Sequence, residues 1–310
     1  MSLRSYTAFR GCYATGTSKP ALKKRLNSRA SLNPVANFSN SEAATQAGER
    51  ISFSFGENWQ KYLSELTEEK VQQAESSLRE SFGSARLDGV SFLDIGCGSG
   101  LFSFCACRAG AKPVISVDVD PNAIACARSL QLKADPSSDW QILSGSILDD
   151  DFLAGIPAAT NVFSWGVLHH TGAMWRSIEN ILKLVAPGGR CCLALYNRPN
   201  HPRLVLALKR LYNRLPRSLK PSMRLGYGLA LLTALALQRR NPVRYVRDYG
   251  KRSRGMSFWR DVEDWLGGLP YEYATPDEVS SFVSARGSVV TNVIMRPPGA
   301  CNEYLIVRPR

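Results

Sequence analysis

The amino-acid sequence predicts an α/β fold: a doubly wound, seven-stranded, mostly parallel sheet with an antiparallel last strand and a helical, basic insertion. The first observation is the segment VSFLDIGCGSG (90–100), where an apolar run ends in three glycines on alternate positions before a helix-like segment. The second is an apolar run that ends in Asp118, with Asp120 and Pro121 opening another helix. The third is the stretch 198–254, which interrupts the alternation of strands and helices.

Short apolar runs bounded by turn residues mark the strands, because buried parallel strands are almost continuously hydrophobic. The predicted strands cover about 90–95, 113–118, 140–143, 161–165, 189–196, 289–295 and 302–307. The predicted helices cover about 58–82, 101–109, 122–130, 173–185, 204–212, 225–237, 255–268 and 275–285. The last two strands are joined through Pro297, Pro298 and Gly299, which indicates a hairpin.

Capping and stop signals set the helix boundaries. Thr275, Pro276 and Glu278 provide an N-cap, a proline at the first helical position and a glutamate at the third, which is the pattern of a capping box. The amphipathic segment 173–185 runs into Pro-Gly-Gly at 187–189, which predicts a helix stop followed by a turn.

The glycine-rich turn has the composition of a ligand-binding turn. Glycine permits positive φ angles and close approach of a ligand, and a helix N-terminus offers unpaired N–H groups to an anionic group. Asp118, at the tip of the second predicted strand, is placed to accept hydrogen bonds from a ribose diol. Dinucleotides and S-adenosylmethionine both fit this arrangement. The spacing G-x-G-x-G, rather than G-x-G-x-x-G, favours S-adenosylmethionine.

Composition places the chain among globular proteins with two basic attachments. The 310 residues carry a net charge of +13 and are 44% hydrophobic, without an apolar run of about 18 residues. Residues 1–41 hold seven Lys/Arg and no acid, and 198–254 hold fifteen Lys/Arg against one acid, so the remainder is net acidic. The eight cysteines contain no C-x-x-C pair, so the sequence predicts neither a metal site nor disulfides.

Four motifs carry a family resemblance: LDIGCGSG, VDVDP, SWGVLHHTG and LVAPGGRCCLALYN. In this order and spacing they resemble the class I S-adenosylmethionine-dependent methyltransferases, with the Rossmann-like fold of that class. The segments FSFGENW, RGMSFWRDVEDWLGG, YEYATPDEV and CNEYLIV extend the resemblance to the branch named for ubiquinone-biosynthesis O-methyltransferases. The resemblance implies S-adenosyl-L-methionine as cofactor and leaves the acceptor open.

The resemblance also implies roles for particular residues. The methionine part of the cofactor would contact the first turn, the ribose Asp118, and the adenine the end of the third strand. The implied cofactor residues are Asp94, Gly96, Gly98, Gly100, Asp118, Ser146 and Ile147. The acidic triplet 149–151, which follows the third strand, is explained equally well by a place at the adenine and by N-capping of the next helix.

Two of the three histidines, His169 and His170, follow the fourth predicted strand at the carboxyl edge of the sheet. A methyl-acceptor hydroxyl must lose a proton, and imidazole is suited to collect it near neutral pH. We therefore expect one of them to act as general base. Because adjacent residues tend to point apart, we expect the other to pack or to hold the following loop.

The basic insertion has three interpretations. It is a lid over the active site, an interfacial element on an anionic membrane, or a nucleic-acid surface. Its 13-residue apolar run, 225–237, makes a helix only about 20 Å long, too short to cross a hydrocarbon core of about 30 Å. The unbroken apolar run favours the first two interpretations, because a nucleic-acid face would interleave aromatic and basic residues.

The chain divides into four predicted parts: a disordered basic extension (1–45), a core with an aromatic N-terminal cap (46–199), a helical lid or insertion (200–270) and a C-terminal helix and hairpin (271–310). In a eukaryote the segment 1–41 would be a transit peptide, which implies an organelle matrix; in a bacterium it would be a disordered basic tail of a cytoplasmic protein or the product of a mis-set start codon.

The predicted function is O-methylation of a small or amphiphilic acceptor: phenolic or quinone-like, lipid-linked, or glycan-type. Peripheral membrane contact through 200–254 is an expected partner interaction, with nucleic acid less favoured. The alternatives are an RNA methyltransferase, a catalytically silent cofactor-binding module, and a nicotinamide-dependent oxidoreductase, which the glycine spacing disfavours. The acceptor atom rests on the resemblance and on the paired histidines.

Overall fold

The computed structural model describes Leu63 and residues 66–83, 87–252 and 257–310. The strands are β1 (Phe92–Ile95), β2 (Val114–Asp118), β3 (Trp140–Ser144), β4 (Ala159–Trp165), β5 (Val185–Tyr196), β6 (Val289–Ile294) and β7 (Cys301–Val307). The helices are α1 (Glu68–Ser81), α2 (Leu101–Arg108), α3 (Pro121–Gln131), α4 (Asp150–Ala154), α5 (Met174–Leu184), α6 (Pro202–Arg214), α7 (Lys220–Leu237), α8 (Pro242–Arg247), α9 (Tyr249–Arg252), α10 (Phe258–Gly267) and α11 (Pro276–Ser284). A 3₁₀ turn covers Leu168–His170.

The seven strands form one sheet in the order β3-β2-β1-β4-β5-β7-β6. The first five strands are mutually parallel, and β7 runs antiparallel to both β5 and β6. The predicted fold class, with its antiparallel last strand, is confirmed. The strand order reverses between β1 and β4, and ligands of open α/β sheets bind beyond the carboxyl ends of the strands at such a point.

Helices cover both faces of the sheet and form two apolar cores. One core joins α1 and α2 to the β1 and β4 side chains Phe92 and Phe163, which stack with ring centroids 6.2 Å apart. The other joins α5 and α11 to β4, β5 and β7 and contains Ile178, Phe282 and Tyr304. These fully covered faces explain why the central strands are almost uniformly apolar.

Local signals account for several helix ends. The Thr275–Glu278 capping box is present at the start of α11. Asp149 caps α4 by accepting from Phe152 N, so the capping explanation of the acidic triplet holds at that position.

Two predicted elements differ from the structure. The helix expected over 58–82 is not continuous, because Leu66 and Thr67 are non-helical and α1 begins at Glu68 with Thr67 as its N-cap; residues 58–62, 64 and 65 lie outside the described residues. The helix expected over 173–185 ends at Leu184, as predicted, but the next strand starts at Val185 rather than at about 189. The Pro-Gly-Gly segment 187–189 forms a bulge within β5, because β4 pairs Ala159 with Val185 and then Asn161 with Arg190.

The insertion folds as helices α6 to α10 around its own small apolar core. Tyr212, Tyr249, Phe258, Val262 and Leu266 are buried in it. No helix in the described ranges is both long enough and apolar enough to span a bilayer. The predicted extension (1–45) and the predicted aromatic cap, with Phe53, Phe55 and Trp59, lie outside the described residues.

Candidate active site

The glycine-rich turn after β1 is held by Asp118 at the end of β2. Gly96, Gly98 and Gly100 all have positive φ angles, of 72°, 54° and 77°. The Asp118 Oδ2 atom accepts from Gly98 N at 2.9 Å, and its Oδ1 atom accepts from Asp120 N at 2.9 Å. Each carboxylate oxygen can accept further hydrogen bonds, so Asp118 retains acceptor capacity for a ribose hydroxyl.

Close packing makes the first and third glycines necessary. A Cβ on Gly96 would lie 2.5 Å from the Val167 methyl groups, and a Cβ on Gly100 would lie 2.9 Å from Ala127 Cβ. Gly100 is also the N-cap of α2 and offers no side-chain hydrogen bond to the first helical N–H groups. This donor set suits a carboxylate or another anionic group, as S-adenosylmethionine requires.

Asp94 lies beneath this turn at the end of a buried hydrogen-bond chain. Trp140 Nε1 donates to Ser116 Oγ at 2.7 Å, Ser116 Oγ to Ser103 Oγ at 2.6 Å, and Ser103 Oγ to Asp94 Oδ2 at 2.6 Å. Burial, with Asp118 nearby, raises the pKa of Asp94 to about 7, although the Ser103 hydrogen bond opposes the shift. The chain ties β3, β2, α2 and β1 together under the predicted cofactor turn.

The two predicted adenine contacts differ in accessibility. Ser146 is partly exposed, and its Oγ accepts from Leu148 N at 3.1 Å. Ile147 is 6% exposed and packs in the core, while its carbonyl accepts from Asn180 Nδ2 at 2.9 Å. Gly145 N donates to Asp118 O at 3.0 Å, which fixes this loop beside the second strand.

The side chains of His169 and His170 were expected to point apart, but their rings lie in one aromatic cluster. The ring centroids of His169 and His170 are 4.4 Å apart, and Tyr196 at the end of β5 lies 4.0 Å and 5.5 Å from them. His170 Nδ1 is 2.7 Å from Pro270 O, and its ring covers Gly268. The expectation that adjacent side chains point apart is wrong here, because the 3₁₀ turn brings the rings together.

The hydrogen bonds of the two histidines still distinguish them. His169 Nδ1 is buried and has no hydrogen-bond partner among the described residues. Burial holds the pKa of His169 well below its usual value, and His170 and Lys209 lower it further. Burial, together with Lys209, lowers the pKa of His170 to about 3. Both imidazoles are therefore neutral at physiological pH.

Lys209 of α6 reaches the same cluster from the insertion. It is fully buried, and its Nζ donates to the carbonyl of Trp265. The Nζ lies 4.6 Å from the ring centroids of Trp265 and Tyr271 and 5.6 Å from that of Tyr196. Burial lowers the pKa of Lys209 to about 7, with Cys301 acting in the opposite direction.

The loop before α11 is hydrogen-bonded to the 3₁₀ turn that carries His169. Glu272 N donates to His169 O at 2.9 Å, and the Glu272 carboxylate accepts from Met174 N at 3.0 Å, at the start of α5. Burial raises the pKa of Glu272 to about 7, while the backbone hydrogen bonds from Met174 and Gly172 oppose the shift. The loop thereby fixes the orientation of the turn that carries His169.

Sequence reasoning missed both Lys209 and Glu272. Lys209 lies four residues after Val205 and three before Tyr212, so it falls on the buried stripe of an amphipathic helix, a signal that was available. Glu272 gave no such signal, because its partners are 98 and 103 residues away in the chain.

Comparison with known proteins gives matches that include the glycine-rich turn after β1. A family model described as a methyltransferase domain matches residues 93–191. A ubiquinone biosynthesis O-methyltransferase of Xanthomonas oryzae pv. oryzae is 31% identical over 132 residues, which cover 42% of this chain and 54% of that protein. A tRNA U34 carboxymethyltransferase of Methylococcus capsulatus is 32% identical over 109 residues, covering 35% of this chain and 33% of that protein.

The chain thus spans about half the length, or less, of these curated relatives. Among solved structures, a magnesium protoporphyrin IX methyltransferase of Synechocystis PCC 6803 with bound SAH is 14% identical, with a TM-score of 0.48. That alignment covers 77% of this chain and 83% of the solved one.

Proposed function

We propose that this chain, which carries a class I S-adenosylmethionine-dependent methyltransferase domain with S-adenosylmethionine as its cofactor, methylates an oxygen atom of a small or amphiphilic acceptor. The acceptor is phenolic or quinone-like, lipid-linked or glycan-type. The observation that supports an oxygen acceptor is His169, a neutral imidazole in an aromatic cluster at the carboxyl edge of the sheet, whose Nδ1 has no hydrogen-bond partner among the described residues.

On the cofactor side, the glycine turn and Asp118 would bind different parts of S-adenosylmethionine. The N–H groups at the start of α2 would hold the carboxylate of the methionine part, and Asp118, which already orders the turn through Gly98 N, would accept from the ribose hydroxyls. Asp94 supports the turn from below through Ser103, and Ser146 and Ile147 would flank the adenine. When bound, S-adenosylmethionine supplies the electrophilic methyl group, so the protein contributes alignment and proton removal.

On the acceptor side, His169 collects the hydroxyl proton at Nδ1. His170 is already engaged with Pro270 O, so its role is to pack against His169 and Tyr196 and to hold the turn. The rings of Tyr196, Tyr271 and Trp265 provide an apolar, aromatic wall for the acceptor.

Methyl transfer from tritiated S-adenosylmethionine into fractionated cell extracts tests this function. We expect label in the organic-solvent fraction, on a product that survives mild alkali as a methyl ether does and a methyl ester does not. His169→Gln should lower the rate by about 100-fold or more, with unchanged S-adenosylhomocysteine affinity. Equal rates for His169→Gln and the full-length parent would remove His169 from the chemistry.

RNA is the second candidate acceptor, because 198–254 carries fifteen Lys/Arg against one acid. In the extract assay, RNA methylation would appear as label that ribonuclease releases. It also requires RNA binding that weakens steeply with salt and that falls when Arg214 and Arg217 are replaced by glutamate.

A further inference from the structure

Helices α6 and α7 and the residues next to them carry exposed apolar side chains that the described part of the chain leaves uncovered. Among the described residues, most of the strongly exposed large apolar side chains lie in this part of the insertion: Leu204, Leu211, Leu219, Leu225, Leu229, Leu237 and Val243. Leu237 and Val243 are each 76% exposed. Exposed apolar side chains concentrated in one segment of the chain indicate an interaction surface. We call these seven side chains the insertion face.

The outer side of α7 carries no charge along its apolar run. From 225 to 237 its exposed positions are Leu, Gly, Leu, Ala, Thr, Ala and Leu, while Gly228 and Leu235 are buried. A soluble helix normally places charged residues on this side. Basic residues instead stand at its ends, with Arg217 and Lys220 before the run and Arg239 and Arg240 after it.

A surface cavity of about 350 Å³ lies along α6, and its lining is also both apolar and basic. It is lined by Arg203, Leu206, Ala207, Arg210, Leu211 and Arg214, so it combines apolar side chains with guanidinium groups. Arginine is the side chain best shaped to bind phosphate oxygens, and the apolar lining suits a hydrocarbon chain.

We propose that the insertion face docks on a bilayer that contains anionic phospholipid. The apolar side chains enter the headgroup boundary while the basic residues at the helix ends and on α6 contact lipid phosphates. Charge complementarity supports this occupant. Of the fifteen Lys/Arg in 198–254, Lys209 is buried, and Arg198 and Arg224 pair with Glu278 and Glu263, but the others still far outnumber the one acid of the segment and attract an anionic surface. Docking does not depend on the proposed methyl transfer.

The same charges argue against two other occupants. A second copy of this chain would bring an equally basic insertion against the first, and like charges across an interface are unfavourable. The chain's own N-terminal extension is also basic, with seven Lys/Arg and no acid in 1–41. Neither offers the negative charge that this face requires.

RNA matches the charge but not the apolar side chains. Single-stranded nucleic acid binds through aromatic rings on which bases stack. On the insertion, Tyr212 and Tyr249 are buried, and Tyr227 and Tyr245 pack partly buried against its core. Within the described helices of the insertion, exposed leucines take the place of exposed aromatics, which favours lipid.

Vesicle flotation of the full chain tests the proposal. The probes are vesicles of 30% phosphatidylglycerol in phosphatidylcholine and vesicles of pure phosphatidylcholine. We expect binding only to the anionic vesicles, with a loss of about tenfold or more on raising NaCl from 0.1 to 0.5 M. Equal binding to both compositions, or to neither, would overturn the proposal.

Paired variants locate the determinant. Leu225→Gln with Leu229→Gln should lower the partition coefficient by about tenfold or more, whereas Leu132→Gln, 89% exposed on the core, should leave it unchanged. Arg214→Glu with Arg217→Glu should abolish binding, and the core pair Arg128→Glu with Lys133→Glu serves as the control for net charge.

Three results would contradict the assignment. One is vesicle binding that survives both sets of insertion variants but is lost when Lys23, Lys24 and Arg25 become glutamine in the full chain. The second is absence of vesicle binding together with tRNA binding that the arginine variants abolish. The third is a change of sedimentation coefficient showing that the leucines form a dimer. S-adenosylhomocysteine titration of each variant reports folding separately from docking.

Discussion

At the scale of single residues, Asp118 is the side chain that organises the predicted cofactor turn. It bonds Gly98 N with one oxygen and Asp120 N with the other, so it fixes the loop after β1 and the start of α3 together. Asp120 has a separate role, because its Oδ1 accepts from Asn122 N and caps α3. The two neighbouring carboxylates therefore make a matched pair for mutagenesis.

Asp118→Ala should weaken S-adenosylhomocysteine binding by roughly 10- to 100-fold, as expected for loss of a charge-assisted hydrogen bond of about 1.5 to 3 kcal/mol. Calorimetric titration measures this directly. Asp120→Ala should instead lower the free energy of unfolding by about 1 kcal/mol and leave the affinity unchanged. If both variants bind as the parent does, Asp118 has no ribose role.

Asp94 predicts a pH dependence of stability. Its pKa is about 7 in the folded protein against 3.8 as a model value, so the folded state holds a proton that the unfolded state releases between those values. The free energy of unfolding therefore falls as pH rises from about 4 to about 7, by at most about 1.4 kcal/mol per pH unit from this group. Urea unfolding across this range should show a shallower fall in Asp94→Asn. A fall as steep as in the parent protein would show that Asp94 ionises freely.

At the scale of secondary-structure elements, α6 combines two different surfaces. Lys209 faces the histidine cluster, while Ala207 and Leu211 lie on the exposed side, about 160° around the helix at 100° per residue. Its outer surface lines the cavity with three arginines, and its inner surface brings an amine to Tyr196. The insertion is thus part of the aromatic cluster around His169 as well as an attachment to the core.

Lys209→Met tests the inner surface. In the folded protein the Lys209 pKa is lowered to about 7 from 10.5, so between these values only the unfolded state stays protonated, and stability rises with pH there. Below pH 7 the burial penalty is fully present. Lys209→Met should raise the free energy of unfolding at pH 7 by about 1 to 3 kcal/mol and abolish the rise between pH 7 and 10. Thermal unfolding at pH 7 and 9 measures it. Lower stability in Lys209→Met at both pH values would mean that the hydrogen bond to the Trp265 carbonyl and the contacts with the aromatic rings outweigh the burial penalty.

At the scale of the whole molecule, cofactor binding should stabilise the fold as a unit. S-adenosylhomocysteine at a hundredfold excess over its Kd adds about 2.7 kcal/mol and should raise Tm by about 5–10 °C. NAD at the same concentration should leave Tm unchanged, since the turn has the G-x-G-x-G spacing. Differential scanning calorimetry with both ligands makes the comparison. A shift with NAD alone would reverse the cofactor assignment.

The sheet was predictable because its signals are local. The apolar runs, the glycine turn and the Thr275–Glu278 capping box each depend on residues close in sequence, and the structure contains all of them. The bulge at 187–189 was not predictable, because it depends on how β5 pairs with β4. The same holds for the acceptor end, where Glu272 and Lys209 reach the His169 turn from distant segments.

Helix α6 also has a mechanical consequence. A packed helix moves as a rigid body, so its outer and inner sides cannot move independently of each other. A rotation of α6 that moves its arginines also moves the Lys209 amine relative to the Tyr196 ring, 5.6 Å away, and so changes the electrostatic potential at His169. Binding at the outer side of α6 and the pKa of His169 at its inner side are therefore coupled through the position of one helix.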